Sequence, residues 1–199
     1  MSNYHNSAIM SSGNRRWKDF NDIADWSSAM IPRLIKSFGL EICFPLQYEL
    51  SGSIKSNTLG TFSFKEENGE TYGLICVSPS VLAKKDILAV LLHELIHAHV
   101  ISSLLLDTHE KIKDADDLVK SATKDAKENN DMSSVNEKMN KCVNIGEDIK
   151  KSIESAFDKT QGHQGLFADM CREIGFGGNM TATEAKPALI KRLLALDFE

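Results

Sequence analysis

Among only six histidines in 199 residues, two stand four apart with an acid directly after the first: His93, Glu94 and His97. On a helix, residues four apart lie one above the other on the same face. His93 and His97 can therefore offer two imidazole nitrogens to one metal ion from a single rigid element. Glu94 is then placed to reach a water beside the metal rather than the metal itself. Two ligands and a carboxylate that takes a proton from water form the H-E-x-x-H arrangement, whose chemistry is metal-assisted hydrolysis.

That spacing works only if the stretch is helical. Asp86 to Asp107 encloses Ile87, Leu88, Val90, Leu91, Leu92, Leu95, Ile96, Val100, Ile101, Leu104, Leu105 and Leu106, which reads as a helix buried nearly all round. Two histidines and a glutamate inside it need partners, because an unpaired polar group in an apolar core is costly. A metal supplies one; the alternative is a pair of core histidines bonded to backbone. A transmembrane reading fails, since Glu94 and three histidines (His93, His97 and His99) would sit mid-span.

The rest of the chain must build a support for this helix. Its length suits one domain, residues 1–199, with a sizeable core. A hydrophobic fraction of 42% is that of an ordinary globular protein, and a net charge of -5 gives no general attraction to nucleic acid or anionic membrane. Cys43, Cys76, Cys142 and Cys171 are far apart in sequence and form no C-x-x-C pair. They point to reduced thiols and, with a polar N-terminus, to a cytoplasmic protein.

Residues 1–14 are Ser/Asn-rich and expected to be loose. Trp17 to Phe38 carries apolar residues at helical spacing, with Gly39 as its stop and Pro32 as the place for a kink or break. From Ile42 to Val77 the pattern becomes strand-like: Ile42–Phe44, Gln47–Leu50, Thr58–Phe64 and Tyr72–Val77, with the Asn68-Gly69 signal of a tight hairpin before the last. Three or four antiparallel strands ahead of the motif helix predict an α+β fold. Residues 107–160 then hold 13 acidic and 10 basic side chains (net -3). Thin apolar stripes, through Ile112, Ala115, Leu118, Val119, Ala122 and Ala126 and then Val135, Met139, Cys142, Ile149, Ile153 and Ala156, predict a two-helix hairpin over 109–157. Asn129-Asn130-Asp131 is its turn, with Ser134 and Glu137 as a capping box. Gly162-His163 is read as opening a further helix that ends at Gly175. Thr181 with Glu184 is read as capping a last one through Leu196.

A catalytic zinc usually has three protein ligands and one open position. Val100 and Ser103 occupy the Gly and His positions of the compact H-E-x-x-H-x-x-G-x-x-H pattern, so a third ligand must come from elsewhere. His99, His109, His163 and acids such as Glu154 are the candidates. His99 points away from His97 on the helix, and His109 lies too close along the chain to fold back easily.

The segment Gly162-His163-Gln164-Gly165-Leu166-Phe167 resembles the G-H-G-x-x-F signature of SprT-like metallopeptidases, which include the Spartan proteases. Leu91 to Ala98 resembles the family's L-L-H-E-x-I-H-A core, and Gly60–Phe64 and Gly73–Pro79 resemble its hairpin strands. The resemblance implies a zincin-like fold in which His93, His97 and His163 hold Zn2+ and Glu94 is the general base. It implies an intracellular endopeptidase with protein substrates, in Spartan relatives proteins crosslinked to DNA. A DNA partner rests on the resemblance alone; the hairpin at 109–157, an insertion between the second and third ligands, is a candidate site for a protein partner. Two other readings stand beside this one. One is an ImmA/IrrE-like regulatory peptidase that cuts a repressor, with an acid such as Glu154 as third ligand. The other is a non-catalytic zinc-held binding module, against which an intact Glu94 speaks.

Overall fold

Asp19 starts the first helix, α1 (Phe20–Phe38), by accepting a hydrogen bond from the Asp22 N–H, and Gly39 ends it in the left-handed conformation at φ 62°. In this computed structural model the described residues are 19–52, 58–129 and 131–198; the expected loose segment 1–14 and the helix start at Trp17 lie outside them. Pro32 does not break α1. It sits on the exposed face, where the carbonyl deprived of its partner, that of exposed Ser28, can turn to water. The inner face buries Ile23, Met30, Ile31 and Leu34.

Three strands follow: β1 (Leu46–Leu50), β2 (Gly60–Glu67) and β3 (Glu70–Val77). Asn68 and Gly69 both have positive φ (54° and 80°), the pairing a two-residue hairpin needs, and they lock β2 antiparallel to β3 from Glu67↔Glu70 to Gly60↔Val77. The expected all-antiparallel sheet is not found. β1 joins the other edge of β3 and runs parallel to it, Leu46↔Gly73 through Leu50↔Val77, giving a mixed sheet of order β1-β3-β2. The hairpin turn fixes only the β2–β3 pair; β1 takes the remaining edge of the buried strand. Ile42–Phe44 is not a strand either. The Cys43 N–H donates to Ser102 Oγ (3.1 Å), and the Phe44 ring packs on Phe62 and Phe64.

The motif helix, α2, runs unbroken from Lys84 to Lys124, 41 residues, instead of stopping at Asp107. The polarity change at that point marks where the helix leaves the core, not where it ends: no Gly or Pro interrupts it, and its charged residues are good helix formers. Residues Ile87 to Ala98 are all buried. An 18-residue stretch of this helix is apolar enough to cross a membrane (mean hydropathy 1.7), yet 83% of it is buried within the fold, packed by α1, the sheet and the C-terminal helices.

A π-helical turn, Asp125–Asn129, leads back into α3 (Met132–Gln161), so the expected hairpin forms, with one arm continuous with the motif helix. Asp131 caps α3 by accepting from the Ser134 N–H, in place of the Ser134–Glu137 box; Glu137 pairs with Lys141 instead. Lys138 bridges the arms, donating to Ser121 Oγ (2.7 Å) and to Asp125. The seam is lined by half-buried Ala115 and Leu118 with buried Ala122, against Val135, Cys142, Ile145 and Ile149. The stripe members Ile112, Val119, Met139 and Ile153 are exposed. The expected place of Ala156 and Asn130 lies outside what is described.

Two short helices close the chain, α4 (Leu166–Ile174) and α5 (Pro187–Ala195). α5 opens at Pro187, and Thr181–Glu184 is instead a separate 3-10 turn, Ala182–Glu184. Phe167, Cys171, Phe176, Leu189 and Leu193 from this end join Ile23, Leu34, Ile75, Val77 and the first half of α2 in one core. The protein is thus α+β, mostly helical, with a small mixed sheet laid along one long helix.

Candidate metal centre

Placement on α2 brings His93, Glu94 and His97 into the interior, 7%, 5% and 8% exposed. The two Nε2 atoms lie 3.3 Å apart. Two nitrogens each at a zinc–nitrogen distance from one tetrahedral ion stand about 3.3–3.4 Å apart. His163 closes the group: one ligand atom from each of the three histidines lies within 4.8 Å of the others. Three imidazoles arranged in this way could hold a metal ion.

His163 does not open a helix, as its sequence context suggests. It stands in the turn between α3 and α4, with φ 54°, and the helix starts at Leu166 after Gly165 (φ 59°). Gly162, directly before His163, has an ordinary φ of -78°. A non-glycine residue at positive φ is uncommon, and such strain persists only where the surroundings hold it. Those surroundings are aromatic. Phe167 stacks on His97 (centroids 4.0 Å, 22°) and on His163 (4.9 Å, 20°), and meets His93 edge-on (5.1 Å, 79°). Phe176 adds a second edge contact to His93. Phe167 was visible in the sequence only as the last letter of a signature and as one of a helix's apolar residues. The structure gives it contact with all three rings.

Burial decides the electrostatics. It pushes His93 down to about 4, with His163 as a second cause, and the Met180 backbone offsets this only partly. His97 is pushed down to about 2, again by burial first and then by the other two histidines, and His163 is lowered by burial as well. All three imidazoles are thereby held neutral, the form in which they can act as ligands. His93 Nδ1 is buried without a hydrogen bond of ordinary geometry. The Glu94 carboxyl is raised to about 8 by burial, opposed by the Phe62 backbone N–H that donates to it.

That bond requires β2 to lie very close to α2. A Cβ built at Gly60 would stand 2.4 Å from Val90 Cγ1 and 2.9 Å from Glu94 Oε1, so only glycine fits there. A cleft of about 410 Å3 opens at this point, lined by the three histidines, Glu94, residues 58–62 and Thr181–Thr183. The segment 181–183 was not foreseen as part of the site; nothing in its composition marks it.

The remaining candidates fall elsewhere. His99 Nδ1 lies against the Glu41 backbone (2.8 Å from N, 2.9 Å from O), while His109 and Glu154 are exposed and outside the cluster. The four cysteines are free thiols. In comparisons with known proteins, no family model, no curated protein and no solved structure matches the chain.

Proposed function

We propose that this chain is a zinc-dependent endopeptidase of the SprT-like type, with a zincin-like arrangement of sheet and motif helix, acting on protein substrates in the cytoplasm. The observation that carries the reading is the buried pair of Nε2 atoms at zinc-like separation, completed by His163, with Glu94 beside them in an open cleft. His93, His97 and His163 would hold the ion, which when bound supplies Lewis acidity toward the scissile carbonyl and lowers the pKa of an attacking water.

The chain's own residues supply the rest. Glu94 takes a proton from that water and passes it to the leaving amine. The Phe62 N–H fixes where the carboxylate points. Phe167 holds the ligand rings at their mutual angles. β2 is an edge strand, and its Phe62 N–H directs the free edge toward Glu94. An extended polypeptide can add to such an edge by main-chain hydrogen bonds, which suits a protease that reads backbone first. A DNA-associated substrate rests on the resemblance alone.

The test is cleavage of an unfolded generic protein such as casein by the zinc-loaded chain and by its Glu94→Gln variant. The variant should keep its zinc and its melting temperature while losing at least about 10² to 10⁴ in rate, the usual worth of a general base. Equal rates would remove Glu94 from the chemistry.

A further inference from the structure

Beyond His97, α2 carries Val100, Ile101, Leu104 and Leu105 past the cleft, and there they meet Phe64 of β2 and Ile153 of α3 around a separate cavity of about 210 Å3. Its exposed lining is almost wholly apolar. Ile101 lines both this cavity and the metal-site cleft, so the two are neighbours along one wall. Three large apolar side chains of its lining, Phe64, Leu105 and Ile153, are 37%, 40% and 38% exposed. An apolar cavity of about 150 Å3 is enough to take a benzene molecule. This one has room for a leucyl, methionyl or phenylalanyl side chain.

β2 supplies the direction. Gly60 sits at the level of Val90 and Glu94, and Phe64, four residues on and on the same face of the strand, sits at the level of Val100 to Leu105. A polypeptide laid along this strand beside Glu94 would carry a side chain to the cavity a few residues from the bond being cut. We infer that the cavity is a specificity pocket: it receives one large apolar side chain of the substrate, and the inserted hairpin, through Ile153, builds one of its walls. This rests on the peptidase reading, and it gives the insertion a part in choosing the substrate. Full burial of such a side chain is worth roughly ten- to hundredfold in affinity.

Two measurements test it. In the first, the zinc-loaded chain is given capped peptides in which each position around the cleaved bond is varied among Leu, Phe, Ala and Asp. One position should favour Leu or Phe over Ala by about tenfold or more. Leu104→Trp, which fills the cavity, and Ile153→Ala, which removes the hairpin's wall, should each bring that ratio back toward one. The second needs no turnover. The Glu94→Gln protein with methyl-labelled Ile, Leu and Val is titrated with the Leu peptide and with its Ala counterpart. The methyl signals of Val100, Ile101, Leu104, Leu105 and Ile153 should shift with the first and not with the second. Shifts without any cleavage in the parent would sink the peptidase reading and keep the pocket. Cleavage without an apolar preference, or methyl signals that respond equally to both peptides, would overturn the pocket and leave the peptidase reading intact.

Discussion

Two imidazole Nε2 atoms 3.3 Å apart in an apolar setting leave little choice of partner: one proton shared between them, or an ion that both can bind. His163 decides which is the better reading, because a shared proton has no need of a third ring held at φ 54° in a strained turn. His163→Ala should therefore lose zinc, read by elemental analysis after dialysis. Glu154→Ala, at an exposed position on α3 outside the cluster, should retain a full equivalent. The opposite pattern would move the third ligand to the acid and favour the regulatory-peptidase alternative. Residue types carried most of this information. The H-E-x-x-H spacing needs only a helix to become geometry, and a helix that apolar declares itself. The φ of His163 could not be read, because a positive φ is expected of glycine first and Gly162 stands directly before it, yet Gly162 keeps an ordinary φ and His163 takes the positive one.

At the scale of elements, the close approach of β2 to α2 does the positioning, and Gly60 permits it. Gly60→Ala should force the strand away from Val90 and Glu94 and lower stability by about 1–3 kcal/mol, the usual cost of overpacking, measured by denaturant unfolding. An unchanged midpoint would mean that the strand yields without resistance. The hairpin is the other element with a clear expectation. Among the described residues, none from 109–157 belongs to the main core, so replacing that span with a Gly/Ser linker should leave a folded, zinc-binding protein. Cleavage of a natural protein partner should fall, while a short peptide is still cut, now without a preference for Leu or Phe at the cavity position. Unfolding on replacement would show the hairpin to be structural. The inner face of α1 was legible because its burial repeats every three to four residues. Where α2 ends was not, since the sequence records the loss of apolar residues at Asp107 and not the continuity of backbone hydrogen bonds beneath it. The parallel β1 was equally hidden: a strand's pattern shows which face is buried, not which edge it will join.

For the whole molecule, a ligand that binds the folded chain and not the unfolded one stabilises it in proportion to the logarithm of its concentration over Kd. The chain purified without added metal should hold about one zinc per molecule. Removal by a chelator should lower its melting temperature, and zinc should restore it, with magnesium and calcium far less effective against an all-nitrogen donor set. Less than about a third of an equivalent, with no thermal response to added zinc, would count against the site as a metal centre. The formal charge of -5, with -3 of it between residues 107 and 160, gives the hairpin no electrostatic pull toward DNA, so a partner there is expected to be protein.

The unbroken α2 also sets a rule of phase. Each residue added to a helix turns everything beyond it by about 100°. One alanine inserted after Leu106 would swing the hairpin a quarter-turn or more around the axis that bears His93 and His97, carrying Ile153 away from Leu104 and Phe64. Seven residues inserted at the same place, matched by seven in α3 ahead of Ile153, would return the hairpin to within about 20° of its present bearing and lengthen both arms. The two arms can grow or shrink together by heptads while keeping their aim on the cleft. By single residues they cannot.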